Sequence, residues 1–122
     1  MYDVNNVFAK ILRGEIPVKK IYENDYALSF HDNFPVTSKH ALVLPKGEYI
    51  NFYDFISRAS DAEQIGFWAA VKKTADDFGI NNDFNVWTNA GDAPVIKQSV
   101  FHFHLHLVAG DRLKGLSEII EG

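Results

Sequence analysis

Cysteine is absent from the 122 residues, which excludes disulfides, thiolate-ligated zinc, iron–sulfur clusters and thiol catalysis together. Positive charge is scarce: 12 Lys and Arg face 16 Asp and Glu, for a formal net charge of −4. With no cationic excess to neutralise a phosphate backbone, the charge argues against a nonspecific nucleic-acid binder, and no nucleic-acid partner is expected. A small phosphorylated ligand, which needs only a few aimed donors, stays open. No stretch approaches the roughly 20 apolar residues of a membrane span, and no membrane partner is expected. The opening Met1-Tyr-Asp-Val-Asn-Asn6 lacks the basic and then apolar pattern of a secretory signal, so the expected location is the cytoplasm. Repeats, low-complexity tracts and linkers are missing too. Residues 1–122 are therefore read as one domain, long enough to bury one core, with 47% hydrophobic and 23% charged residues.

The chain carries clear local signals. Asn5-Asn6 precedes Val7, Phe8, Ile11 and Leu12, and Gly14 follows, which predicts a short amphipathic helix with an Asn cap and a glycine stop. Lys19–Glu23 and Tyr26–Asp32 read as strands around an Asn24-Asp25 turn, and His40–Leu44 as a third strand ended by Pro45. Ser60-Asp-Ala-Glu63 is a capping box opening a helix with Ile65, Trp68, Val71, Ala75 and Phe78 on its apolar face, stopped by Gly79. Phe84–Thr88 and Val100–Val108 complete the strands. Helix, three strands, helix, two strands favours an α+β fold with a five-stranded, mostly antiparallel sheet and two main helices over a parallel βαβ repeat.

Three of the five histidines fall at alternate positions of Val100-Phe-His102-Phe-His104-Leu-His106-Leu-Val108. Strand side chains alternate faces, so the three imidazoles share one face and Phe101, Phe103, Leu105 and Leu107 the other, where the Ser60–Phe78 helix can cover them. Neighbouring imidazoles sit about 6.6 Å apart along such a strand, close enough to act on adjacent atoms of one ligand. Three readings compete. A solvated polar face would intersperse Thr, Lys or Glu, and none is there. A zinc site could draw a third ligand from His31, His40 or Asp32, but the segment offers no carboxylate to fix the ligand tautomers. The third reading is metal-free: a neutral imidazole attacks phosphorus while a protonated neighbour gives its proton to the leaving group.

His102-Phe-His104-Leu-His106-Leu-Val108 resembles the His-φ-His-φ-His-φ-φ signature of the histidine-triad (HIT) family, where φ is apolar. The resemblance runs along nearly the whole chain. Asn6–Pro17, Ile21-Tyr-Glu-Asn24, Phe30-His-Asp32, His40–Lys46, Asn89 and Gln98-Ser-Val100 look like the family's Hint branch of nucleoside phosphoramidate hydrolases. It implies His104 as nucleophile through a nucleotidyl-histidine intermediate. His106 would serve the phosphate and leaving-group side, His102 support the nucleophile, Ser99 bond the leaving group, and Asn89 and Gln98 lie at the phosphate end. Asp32 would accept both ribose hydroxyls. Phe8, Ile11, Ile16, Phe30, His31 and Leu42 would enclose the base, and His40 would either assist the triad or support its strand.

The resemblance further implies a HIT-like homodimer with the Ser60–Phe78 helices and Phe84–Thr88 strands near its interface. The partner would be a purine nucleotide conjugate, a phosphoramidate or dinucleoside polyphosphate, and no metal or other cofactor is expected. A nucleotide-binding regulator with incidental turnover and a histidine metal module are the rivals. The chain departs from the branch in Gly91–Lys97, where a Gly-rich turn is usual, and in its tail from Gly110, which lacks Gly-Gly-Arg and a Trp-bearing ending.

Overall fold

In the computed structural model, residues 1–80, 83–93 and 96–112 are described. The tail beyond Arg112 and the centre of the 91–97 segment, at Pro94 and Val95, lie outside them. The elements run α1 (Val7–Leu12), β1 (Lys20–Glu23), β2 (Ala27–His31), β3 (Thr37–Pro45), α2 (Phe52–Arg58), α3 (Asp61–Phe78), β4 (Asn85–Trp87), β5 (Asp92–Ala93), β6 (Ile96–Lys97) and β7 (Leu105–Arg112). Strands order as β1-β2-β3-β7-β4 in a five-stranded sheet whose four pairings are all antiparallel, and β5 and β6 form a separate hairpin. This is the expected α+β fold, with one helix and one small hairpin more than expected.

Local chemistry explains the ends. Asn6 caps α1 by accepting the Ala9 N–H at 2.9 Å. At α3 the Ser60 hydroxyl accepts from Glu63 N while the Glu63 carboxylate accepts from Ser60 N, and Gly79 closes the helix in the left-handed region at φ 74°. Between β1 and β2, Asn24 Oδ1 accepts from both Tyr26 N and Ala27 N. Its amide also donates to the Gly66 carbonyl, pinning the turn on α3. Gly66 is required there: a Cβ would stand 2.3 Å from the Tyr26 ring.

The sheet separates two apolar layers. On one face α3, together with α2, covers Ala27, Ala41, Val43, Phe103, Leu105 and Leu107, and Phe55, Phe67 and Phe103 are fully enclosed at ring separations of 5.0 to 5.1 Å. Ser29 and Thr74, both buried in this layer, bring their hydroxyls together at 2.7 Å, and the single Thr74 hydroxyl proton is shared between Ser29 Oγ and Ala70 O, 2.6 Å away. On the opposite face, six-residue α1 lays Phe8 and Ile11 on Leu28, Phe30, Leu42 and Leu44.

Three expectations need correction. The last strand begins at Leu105, not Val100, and extends to Arg112. Val43 pairs with Leu105; two residues on, Pro45 has no N–H to offer, and Phe103 N bonds Tyr49 O in the following loop instead. Phe101 falls outside the packed face and is 45% exposed. On α3 the buried residues are Phe67, Ala70, Thr74 and Ala75, whereas Ile65 and Trp68 are 71% and 43% exposed. Apolar residues run almost around this helix, and the hydroxyl pair with Ser29 brings Thr74 inward.

Candidate active site

Alternation along the central strands sends His40 and Leu42 of β3, His104 just before β7, and His106 within it, to the α1 face. There they line a cavity of about 550 Å³ with Phe8, Ile11, Ile16, Phe30, Asp32, Val36, Trp87, Ser99 and Val100 among its walls. That size suits a nucleotide-sized ligand. One side is apolar, with Phe8 edge-on to Phe30 at 6.1 Å and to the His104 ring at 4.9 Å. The other side is the histidine cluster.

Hydrogen bonds fix which nitrogen of each imidazole carries a proton. His104 Nδ1–H donates to the His102 carbonyl at 2.8 Å, which leaves Nε2 as the lone-pair nitrogen. That Nε2 is buried and meets no protein partner. Burial pulls the His104 pKa below its ordinary value, against the opposing pull of the bond to His102 O, so the ring is neutral near pH 7. The Val36 N–H donates to His40 Nδ1 at 3.1 Å, so neutral His40 carries its proton on Nε2. That Nε2 lies 2.9 Å from His106 Nδ1 and 3.3 Å from Asp32 Oδ2. Donating to His106 Nδ1 leaves the proton of neutral His106 on Nε2. The two cavity-facing rings, 5.1 Å apart, thus present opposite groups: a bare nitrogen on His104 and an N–H on His106.

His102 stands behind the cavity. Its Nε2–H donates to Pro45 O at 2.8 Å and its Nδ1 accepts the Tyr2 hydroxyl at 2.5 Å. Burial pulls its pKa down to about 4 despite the Pro45 carbonyl. Trp87, across from His106 in the β4–β7 register, stacks on it at 4.6 Å with planes 7° apart.

The geometry tests the metal reading. Among the described residues, Asp32, His40 and His106 bring three ligating atoms within 4.8 Å of one another. A ligating histidine normally donates its second N–H to an acceptor. His40 instead accepts a backbone N–H at that nitrogen, and His102 has both nitrogens engaged. The donor set does not fit a metal centre.

Of the residues singled out from the sequence, Phe8, Ile11, Ile16, Phe30, Asp32, His40, Leu42, Ser99, His104 and His106 meet at the cavity. His31 does not. It faces the helix layer, 5.0 Å from the Phe78 ring, because it is one residue out of phase with Phe30 and Asp32. Asn89 and Gln98 are buried outside the cavity walls. The Gln98 amide donates to Ile50 O and Val100 O and its oxygen accepts from Gly91 N, so it braces the segment leading to Ser99. Two participants escaped the sequence reading. Trp87 is adjacent to the Thr88-Asn89 pair and alternates onto the cavity face, a signal period-two reading could have used; Tyr2 gave none.

The family's HIT domain profile matches residues 13–113. The chain belongs to the HIT family. A 13.2 kDa HIT-like protein of Azospirillum brasilense is 46% identical over 113 residues, 92% of this chain and 91% of that protein. Among solved structures, a HIT family hydrolase from Clostridium thermocellum superposes with a TM-score of 0.74 at 30% identity, covering 91% of this chain and 95% of its own. A histidine triad nucleotide-binding protein from Candida albicans gives 0.75 at 29% identity, over 88% and 76%. This HIT domain therefore has the fold of family members that include a hydrolase and a nucleotide-binding protein. No helix among its described residues is long and apolar enough to cross a membrane.

Proposed function

We propose that the chain is a nucleotidyl hydrolase or transferase acting at the α-phosphorus of a purine nucleotide conjugate, a phosphoramidate or dinucleoside polyphosphate in the manner of the Hint branch. The observation that carries this reading is the pairing of the unpartnered, buried His104 Nε2 with the neighbouring His106 ring at one cavity wall. His104 Nε2 attacks phosphorus, a phosphorus–nitrogen bond forms, and the bond to the leaving group breaks. His106, having taken up a second proton, gives the leaving group its Nε2 proton and is left neutral, ready to take a proton from the water of the next step. Water then attacks the nucleotidyl-histidine, returning His104 and releasing the nucleoside monophosphate. The apolar wall from Phe8 to Leu42 takes the base. Asp32 takes the ribose hydroxyls: it already accepts from Phe34 N, and its two oxygens keep lone pairs to spare. Ser99, exposed at the rim, serves the leaving group, and a purine ligand matches a pocket with edge-on aromatic Phe8 and Phe30.

The chemistry runs without metal, because protons sit where the mechanism needs them and His40 is turned the wrong way to ligate. Two copies pair as a homodimer, a reading supported by exposed Ile65 and Trp68 on α3 and by Val86, 52% exposed on edge strand β4.

The test is an adenylate bearing a good leaving group, such as a fluorophosphate or aryl ester. Rapid quenching at high pH should trap a nucleotide on His104, and configuration at phosphorus should be retained through two in-line steps. Inversion, or an adduct on another histidine, refutes the two-step route.

A further inference from the structure

Tyr2 lies 100 residues from the histidine it touches and outside the cavity walls, yet its hydroxyl is 2.5 Å from His102 Nδ1. The rings meet edge to face at 5.5 Å and 67°. From there a continuous chain of bonds reaches the site. Tyr2 O–H donates to His102 Nδ1, His102 Nε2–H donates to Pro45 O, and the His102 carbonyl receives His104 Nδ1–H. Burial raises the Tyr2 pKa, against a hydrogen bond with Asn6, and lowers that of His102, so both partners stay neutral across the physiological range. A neutral phenol donates, and His102 already spends its Nε2 proton on Pro45. The direction of the bond is therefore set.

Without the hydroxyl, His102 has a buried acceptor left bare, and its ring can exchange tautomers or turn away from Pro45. Its carbonyl, the group that holds the His104 tautomer, belongs to the same residue and sits before β7, in the peptide whose Phe103 N–H donates to Tyr49 O, so the His102 ring adds to a carbonyl already held at one end. We infer that Tyr2 is a positioning residue: from the N-terminal segment it locks His102, and through the His102 carbonyl it holds His104 with Nε2 facing the cavity. The segment is itself tied to α1, since Asn6, the α1 cap, donates to Asp3 O, and Phe8 of α1 touches both His102 and His104 edge-on.

The activity arm of the test rests on the proposed function; the spectroscopic arm does not. In nitrogen-15-labelled protein, imidazole NMR should find His102 as a single Nε2–H tautomer with a hydrogen-bonded Nδ1. In Tyr2→Phe, which keeps the ring contact, the His102 Nδ1 signal should move to the unbonded position and the His104 Nδ1–H signal should shift or broaden. Turnover of an adenosine phosphoramidate should fall about five- to tenfold in kcat with KM within about twofold, since one hydrogen bond is lost and no cavity wall is touched. Unchanged His102 signals overturn the inference. So does a shifted His102 signal beside unmoved His104 signals or unmoved kcat. If Tyr2→Phe does not fold, an unbonded Nδ1 signal in the unaltered protein overturns the inference and a bonded one supports it. If the unaltered protein turns over no nucleotide conjugate, the proposed function falls, and the paired NMR shifts alone decide the role of Tyr2.

Discussion

The two faces of the sheet come from the same strands and have opposite chemistry. Toward α3, residues such as Ala41, Val43, Phe103 and Leu107 are enclosed by an 18-residue helix, and the buried hydroxyls of Ser29 and Thr74 lie within hydrogen-bond distance of each other. Toward α1, a six-residue helix covers only part of the face, leaving Leu42, His40, His104 and His106 around open space. One face spends its burial on stability. The other keeps a buried nitrogen without a protein partner, which costs stability and which the proposed function assigns to a ligand. Because alternate residues serve the two purposes, neighbours in sequence should fail in different ways when changed.

His104→Ala and Phe103→Ala are the sharpest pair. His104→Ala should cut turnover by several powers of ten with nucleoside monophosphate still bound, as expected for an essential nucleophile. A tenth of the original rate remaining would remove His104 from that role. Phe103→Ala, one residue away on the helix layer, should cost about 3–5 kcal/mol in denaturant unfolding because it empties a fully buried aromatic site. A mild cost would mean the two faces are less separate than described.

Acid should expose the same division. Burial holds the pKa values of His31, His102 and His104 below the ordinary histidine value, His102 down to about 4. The unfolded chain therefore binds protons first, and stability, complete above about pH 6.5, should decline as pH falls toward 4. His102 alone accounts for on the order of 3 kcal/mol of that decline. His102→Gln should flatten the curve in this window, which urea titrations at stepped pH would show; an equally steep curve would assign the loss to other groups.

Asp32→Asn should reduce the preference for ribonucleotides over 2′-deoxy analogues by about tenfold, since a charge-assisted acceptor is lost. Unchanged discrimination would return Asp32 to its other contacts, Phe34 N and His40. The smallest effect belongs to metal: exhaustive chelation should leave the rate unaltered. Loss restored by zinc would revive Asp32, His40 and His106 as a ligand set.

What could be read from the sequence follows the reach of each interaction. The capping box at Ser60, the Asn6 cap and the alternation that puts His104 and His106 on one face are local, and they appear in the folded chain where the residues predict them, whereas His102, the third of that set, lies outside the cavity walls. Short α2 was missed although Asn51 caps it by accepting from Asp54 N, because seven residues give too little periodicity. The start of the last strand depended on a partner, Pro45, that is remote in sequence. His31 was placed with the base pocket by resemblance, whereas alternation from Phe30 puts it on the helix side. Tyr2 reaches the triad through tertiary structure alone.

The bond from Val36 N–H to His40 Nδ1 bears on how such a site can drift over generations. The orientation of protons across His40 and His106 is written by a main-chain amide, which every amino acid but proline supplies. Position 36 can therefore exchange its side chain among apolar residues and leave the acid–base polarity of the pair intact. A side-chain exchange at position 36 leaves that amide, and the proton it places on His40, unchanged.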